Sequence, residues 1–278
     1  MSKLSASALT NGVPSNPLKK YSQTGEEGVL LYLFDKLGTT NKYLVDFGAG
    51  DGTSLSNSKL LLDDYGWTGL RMDGKGTNDV KKEFITRENI LGLFEKYDVP
   101  REFDLLSIDL DGNDYWILKE ILTSYKPLVI CAEMNGCCPV GVSQAIKYNA
   151  GHKYGGKSYY GASFEAIKRL CVDYIVVHNQ LDLNVFLVHK DLVEGESIVG
   201  HTCPMYHHFQ AGEWIVNPEL VEPIVTYSPM QDDVSGTVAE NATDEPTLLE
   251  QLKAEYEGLD KRSKEAKELK KRIKELEQ

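Results

Sequence analysis

The sequence predicts an α/β protein with a Rossmann-like, doubly wound, mostly parallel seven-stranded sheet, an antiparallel last strand and a C-terminal helix. Three observations predict it. Short runs of β-branched and aromatic residues alternate with segments of helical period, as in strands joined by crossover helices. The run Tyr43–Phe47 breaks into Gly48, Gly50 and Gly52, the kind of turn that leads a buried parallel strand into a helix. The last two strands, Tyr174–His178 and Val185–His189, are separated by only a short turn at Gln180–Leu183, so they pair antiparallel.

Taken in order, residues 1–20 are rich in Ser, Asn and Pro and read as a flexible N-terminus. Thr24 and Glu27 form a capping-box pattern that opens a helix with Val29, Leu30, Leu33, Phe34 and Leu37 on one face, closed by Gly38. After the glycine turn, a helix starting near Ser56 carries Leu60–Leu62 and stops near Gly66. Gly69–Met72 is a short second strand ending at Asp73, and Phe84–Thr86 reads as a third, with Glu88 and Asn89 just past it. Only a turn or two of helix fits between those two strands. Phe103–Ile108 is the fourth strand, ending at Asp109, and a helix follows to about Thr123. Pro127–Ala132 is the fifth, ending at Glu133 and Asn135. Residues 136–160 show no periodicity and read as a long functional loop. A helix over about Ala162–Cys171 precedes the final strand pair. Residues 190–225 decorate the domain, 226–245 form an acidic linker, and 246–278 form a charged helix with short coiled-coil spacing.

Composition narrows the function. With 278 residues, 41% of them hydrophobic, the chain supports one large domain with appendages. A net charge of −12 argues against nucleic acid or an anionic membrane as the main partner, because both need clustered Lys and Arg. No apolar run approaches the roughly 18 residues of a membrane span, and Met1–Pro17 has no signal-peptide core, so a cytoplasmic location is expected. The five cysteines show no C-x-x-C spacing and read as reduced thiols.

Ligands of open parallel sheets sit at the carboxyl ends of the strands, and Asp46, Asp73, Asp109, Asp111 and Glu133 all fall there. Core packing does not account for five such acids, since unpaired charge is excluded from interiors. An NAD fingerprint fails: counted from Gly48 and Gly50 its last glycine falls on Thr53, and counted from Gly50 and Gly52 it falls on Leu55. No P-loop pattern is present.

The pattern that is present, acid-x-G-x-G-x-G over Asp46 to Gly52, resembles motif I of class I S-adenosylmethionine-dependent methyltransferases. Taken with Tyr21–Gly28, Leu55–Ser58, Phe84–Ile90, Asp104–Tyr115 and Tyr159–Ser163, the chain resembles their FkbM-like branch over roughly residues 20–215. That resemblance implies a class I methyltransferase domain at 21–225 and methyl transfer to a hydroxyl of a sugar, glycan or other small molecule. It puts Asp46, Gly48, Gly50, Asp51 and Gly52 at the cofactor turn, Asp73 on the ribose, Asp109 after the fourth strand, and Gln23, Glu26, Glu88 and Asn89 near the cofactor. Two departures stand out: Asp73 is shorter than the more usual Glu, and segment 74–83 is short. Residues 225–278 match nothing in the family.

Two constellations are candidates for activating the acceptor. Asp109, Glu133 and Asn135, at the tips of adjacent strands, are oxygen ligands suited to Mg²⁺, with Asp111 as base; alternatively Asp109 holds the cofactor's amino group and Asp111 caps the next helix. The second is histidine, either His152 or one of His201, His207 and His208. Tyr159 and Tyr160 are expected to line the acceptor pocket. The competing functions are N-methylation or protein methylation, and a non-catalytic cofactor-binding module that assembles as a homo-oligomer through the C-terminal helix.

Overall fold

The computed structural model describes residues 3–77, 79–156, 159–200 and 213–220. The linker and C-terminal helix expected over 226–278, and His201, His207 and His208, lie outside the described residues.

The central sheet has seven strands: β2 (Tyr43–Phe47), β3 (Thr68–Asp73), β4 (Val80–Lys82), β5 (Glu102–Ile108), β6 (Lys126–Glu133), β8 (Tyr174–Gln180) and β9 (Asn184–His189). Their spatial order is β4-β3-β2-β5-β6-β9-β8. The first five are mutually parallel, and β9, last in the chain, runs antiparallel to both β6 and β8. The sheet is mixed, mostly parallel and Rossmann-like, as the alternation of elements predicts. Its strands are buried on both faces because successive side chains feed two separate cores. On one face Leu44, Leu105 and Val129 pack with α1 (Ala6–Gly12), α2 (Glu26–Leu37) and α3 (Lys59–Asp64). On the other Val45, Leu106 and Ile130 pack with α4 (Ile90–Lys96), α5 (Asp114–Ile121) and α6 (Phe164–Leu170). No helix among the described residues is long and apolar enough to cross a membrane.

Several expectations are corrected. The N-terminus is folded: β1 (Leu4–Ser5) pairs with β10 (Val193–Glu194), and α1 buries Ala6 and Leu9 while Thr10 Oγ1 donates to the Val177 carbonyl at 2.8 Å. A seven-residue helix is too short to announce itself by period. The third strand is Val80–Lys82 rather than Phe84–Thr86, since only Val80 of that edge strand needs burial and the Phe84 side chain is left exposed. Residues 74–77 contain no helix, and α4 follows Asn89 where none was predicted.

The capping box is also absent. Gly25, left-handed at φ 103°, is the N-cap of α2. Glu27 instead accepts the Tyr21 and Ser22 amides at 2.7 and 3.1 Å, and Glu26 accepts the Thr24 amide. Loop 136–160 contains β7 (Gln144–Ile146), paired antiparallel with β11 (Trp214–Val216). That small sheet braces the loop over α5, where Trp116 Nε1 donates to the Ile146 carbonyl at 2.8 Å.

Entry into β2 is fixed from β5. Asp104, fully buried, accepts the backbone amides of Thr40, Asn41 and Lys42 at 2.7–3.1 Å. Asp104→Ala strands those donors, and chemical denaturation should show a loss of about 3 kcal/mol.

Candidate functional site

The site begins at the β2–α3 turn. Gly48, Gly50 and Gly52 have φ of 68°, 54° and 74°, the left-handed region that a Cβ disfavours. Gly48 is needed twice over, because a Cβ there would lie 1.6 Å from the Asp109 carbonyl oxygen. The buried Arg71 guanidinium, only 4% exposed, holds the Gly52 carbonyl and pairs with Asp79, tying the turn to the β3–β4 connection. The Gly50 amide donates to Asp73 Oδ2 at 3.1 Å, which puts the β3 acid directly beside the turn.

A cavity of about 570 Å³ opens at the carboxyl ends of β2, β3, β5 and β6. One half is walled by Gly48, Leu55, Asn57, Asp73, Phe84 and Ile85. Phe84 and Leu55 are 59% and 67% exposed, two large apolar surfaces open to a ligand. The other half is walled by Asp109, Asp111, Glu133, His152, Tyr154 and Tyr160. No Lys or Arg is among the described residues lining it, so the carboxylates face one another without a cation.

Ligand atoms of Asp109, Asp111 and Glu133 all lie within 4.8 Å of one another. Glu133 Oε2 is buried and finds no hydrogen-bond partner among the described residues. Burial, reinforced by Asp114, Asp111 and Asp46, raises the pKa of Asp109 to about 8. Burial and the charges of Asp109, Asp114 and Asp111 raise Glu133 as well, and burial raises Asp111. Three mutually repelling carboxylates with an unsatisfied oxygen fit a hard divalent cation, whose charge they would share.

His152 reaches this cluster from the 136–160 loop. Its ring lies against Gly112, where an added Cβ would meet Cδ2 at 2.4 Å. Burial lowers its pKa, opposed by a hydrogen bond to the Asp111 backbone. Nε2 is buried, lies beside Gly112 and has no hydrogen-bond partner among the described residues. The loop is anchored by Asn113 Nδ2 donating to the Asn149 carbonyl at 2.8 Å.

Of the residues expected here from sequence, Gln23, Gly48, Asp73, Asp109, Asp111, Glu133, His152 and Tyr160 line the cavity. Others do different work. Asp46 is buried beneath the turn, bonded to Ser58, with a pKa raised by desolvation. Asp51 is exposed and caps the Thr53 and Ser54 amides. Gly50 and Gly52 shape the turn without lining the cavity. Glu26 is fully buried behind the wall. Glu88 accepts from Tyr148 on the surface, and Asn89 braces the 84–89 turn through the Thr86 amide and the Phe84 carbonyl.

Asn135 cannot serve as a ligand: it is fully buried, its Oδ1 taken by the Cys137 amide and its Nδ2 by the Tyr160 carbonyl. Asp111 takes that place in the cluster. Tyr159 donates to the Glu213 carbonyl and packs edge-on to Trp214 and His152, bracing the histidine from behind. Tyr154 takes its place on the cavity wall, 5.6 Å from Tyr160. Sequence reasoning missed Phe84, Tyr154 and Asn184; only the first carried a signal, an aromatic next to a strand end.

No protein-family model matches the chain, and no curated protein is found to be related to it.

The raised acids make a pH prediction. An acid with a raised folded-state pKa contributes stability that is complete below its unfolded value and is lost as pH rises through the folded one. The melting temperature of metal-free protein should therefore fall as pH rises from about 4 to about 8 and level off above that, where Asp109 is ionised in the folded state too. Asp109→Asn should flatten that fall, and Mg²⁺ should oppose it, both readable by thermal unfolding.

Proposed function

We propose that this chain is an S-adenosylmethionine-dependent O-methyltransferase acting on a hydroxyl of a sugar or other small molecule, assisted by a divalent cation such as Mg²⁺. The observation that carries the proposal is the continuity of one cavity from the glycine turn and Asp73 to the Asp109–Asp111–Glu133 cluster and His152. The residues on the first half suit the cofactor. Asp73 keeps lone pairs for two ribose hydroxyls beyond those given to the Gly50 and Lys75 amides. Phe84 and Ile85 offer an apolar wall to a purine, and Gly50 has no atom within 4 Å of where a Cβ would stand.

The residues on the second half suit the acceptor and its proton. Asp109, Asp111 and Glu133 would hold the cation. The bound cofactor supplies an electrophilic methyl group, and the bound cation supplies charge that lowers the pKa of a nearby hydroxyl. His152, on the cavity wall, would take the acceptor hydroxyl's proton when the methyl group is transferred. Its lowered pKa keeps it neutral and able to do so near pH 7. Asp111 stabilises the imidazolium that results, and the proton leaves to solvent through the exposed side of Asp111. Tyr154 and Tyr160, both on the cavity wall, would flank the acceptor.

The test is release of S-adenosylhomocysteine over a panel of sugars and glycans. Chelation of divalent ions should lower turnover at least about tenfold, with recovery on adding Mg²⁺. His152→Ala should lower kcat by about 10²–10⁴ with cofactor affinity intact. Asp73→Ala should weaken the cofactor instead. Full turnover in chelator would remove the cation from the proposal, and full turnover of His152→Ala would remove the base.

A further inference from the structure

Two stretches of chain that wall the cavity are far apart in sequence. The turn 84–89 brings Phe84 and Ile85 to the half with the glycine turn, and loop 136–160 brings His152 and Tyr154 to the half with the carboxylates. The two stretches also meet through Tyr148, Arg87 and Glu88, none of which lines the cavity.

The Tyr148 hydroxyl accepts the Arg87 backbone amide at 3.1 Å and donates to the Glu88 carboxylate, so both of its bonds go to the turn. The Arg87 guanidinium lies over the Tyr148 ring, 4.3 Å from its centre. That guanidinium is only 5% exposed and pairs with Glu88 at 3.5 Å. A cation taken out of water needs compensation, and the ring face supplies part of it.

Each side is stiff up to this junction. Asn89 accepts the Thr86 amide and donates to the Phe84 carbonyl, both at 2.8 Å, which fixes Phe84 to the same turn as Arg87 and Glu88. On the loop side, Asn113 Nδ2 and the His152 amide both donate to the Asn149 carbonyl at 2.8 Å, one residue beyond Tyr148.

We infer that Tyr148 is a positioning residue that couples the two halves of the cavity, so that a purine seated against Phe84 and Ile85 orders the stretch carrying His152 and Tyr154. The inference rests on the cofactor reading above. A ligand that steadies the turn steadies what is bonded to it, and the Tyr148 hydroxyl carries that effect to residues 147–154. By linkage the coupling is reciprocal: a molecule settled against His152 and Tyr154 raises the affinity for the cofactor. The rival account is direct contact between the cofactor and the loop. Tyr148→Phe separates the two, because it removes the hydroxyl and keeps the ring over Arg87.

The experiment is hydrogen–deuterium exchange of the full chain with and without saturating S-adenosylmethionine, alongside calorimetric titration. In the native protein the cofactor should slow exchange in both 84–89 and 147–154, by at least about fivefold in each. In Tyr148→Phe the slowing in 84–89 should remain, and that in 147–154 should fall below about twofold. Glu88→Ala removes the hydroxyl's acceptor at a side chain 43% exposed and should do the same. Melting temperatures identify a variant that fails to fold, and Glu88→Ala carries the comparison if Tyr148→Phe is that variant.

Equal slowing of 147–154 in native and variant proteins overturns the inference, and so does a native response confined to 84–89. A hydroxyl of purely structural use would speed exchange of 147–154 by one factor with and without cofactor, and that result also overturns it. Slowing in neither segment while the titration shows heat overturns the coupling and leaves cofactor binding standing. No slowing and no heat overturns the cofactor reading, and the coupling with it.

Discussion

The close approach of two strand-end turns is the constraint on which the site depends. The β2–α3 turn passes so near the segment after β5 that a Cβ on Gly48 would sit 1.6 Å from the Asp109 carbonyl oxygen. Only glycine allows that contact, and it does so with a left-handed backbone that suits no other residue well. The contact fuses two features that could otherwise lie apart: a turn that walls the cavity through Gly48, and an acid that opens the carboxylate cluster. Arg71 on β3 braces the same turn from below through the Gly52 carbonyl. The β3 acid, the glycine turn and the β5 acid thus form one rigid edge.

The Asp109–Glu133 half of the cavity is shaped by charge that no Lys or Arg among the described residues lining it neutralises. Asp109, Asp111 and Glu133 converge within 4.8 Å; burial raises the pKa of all three, and repulsion from neighbouring acids adds to it at Asp109 and Glu133. Elsewhere the same fold treats acids differently. Asp104 is satisfied by three backbone amides, and the Asp114 carboxylate accepts the Leu110 and Gly112 amides. The contrast separates acids that build loops from acids left open toward a ligand. Perturbed carboxylates lining a cleft, with an unsatisfied oxygen among them, are the pattern expected of a functional site.

The sheet was legible because its strands are nearly continuous apolar runs ending in acids, a pattern that survives any uncertainty about boundaries. Asp73, Asp109, Asp111, Glu133 and His152 were legible for the same reason: strand ends and the long loop converge where a parallel sheet binds its ligands. Other assignments went astray where a short element carries no period. β4 buries a single side chain, so Phe84 beside it read as strand and turned out to be cavity wall. Asn135 has the residue type and position of a ligand, but its amide is taken up by the backbone of Cys137 and Tyr160, which only tertiary contacts reveal. Tyr148 was invisible for the opposite reason. Nothing in its neighbours marks it, and its significance comes from bonds to Arg87 and Glu88, 61 and 60 residues away.

The central claim is that the glycine turn and Asp73 hold S-adenosylmethionine. Isothermal titration of the full chain with S-adenosylmethionine tests it most directly. The account predicts a saturable heat at one site per chain, weakened by Asp73→Ala and by Gly48→Ala, with a matching rise in melting temperature on binding. Absence of both heat and thermal shift in the native protein would contradict it.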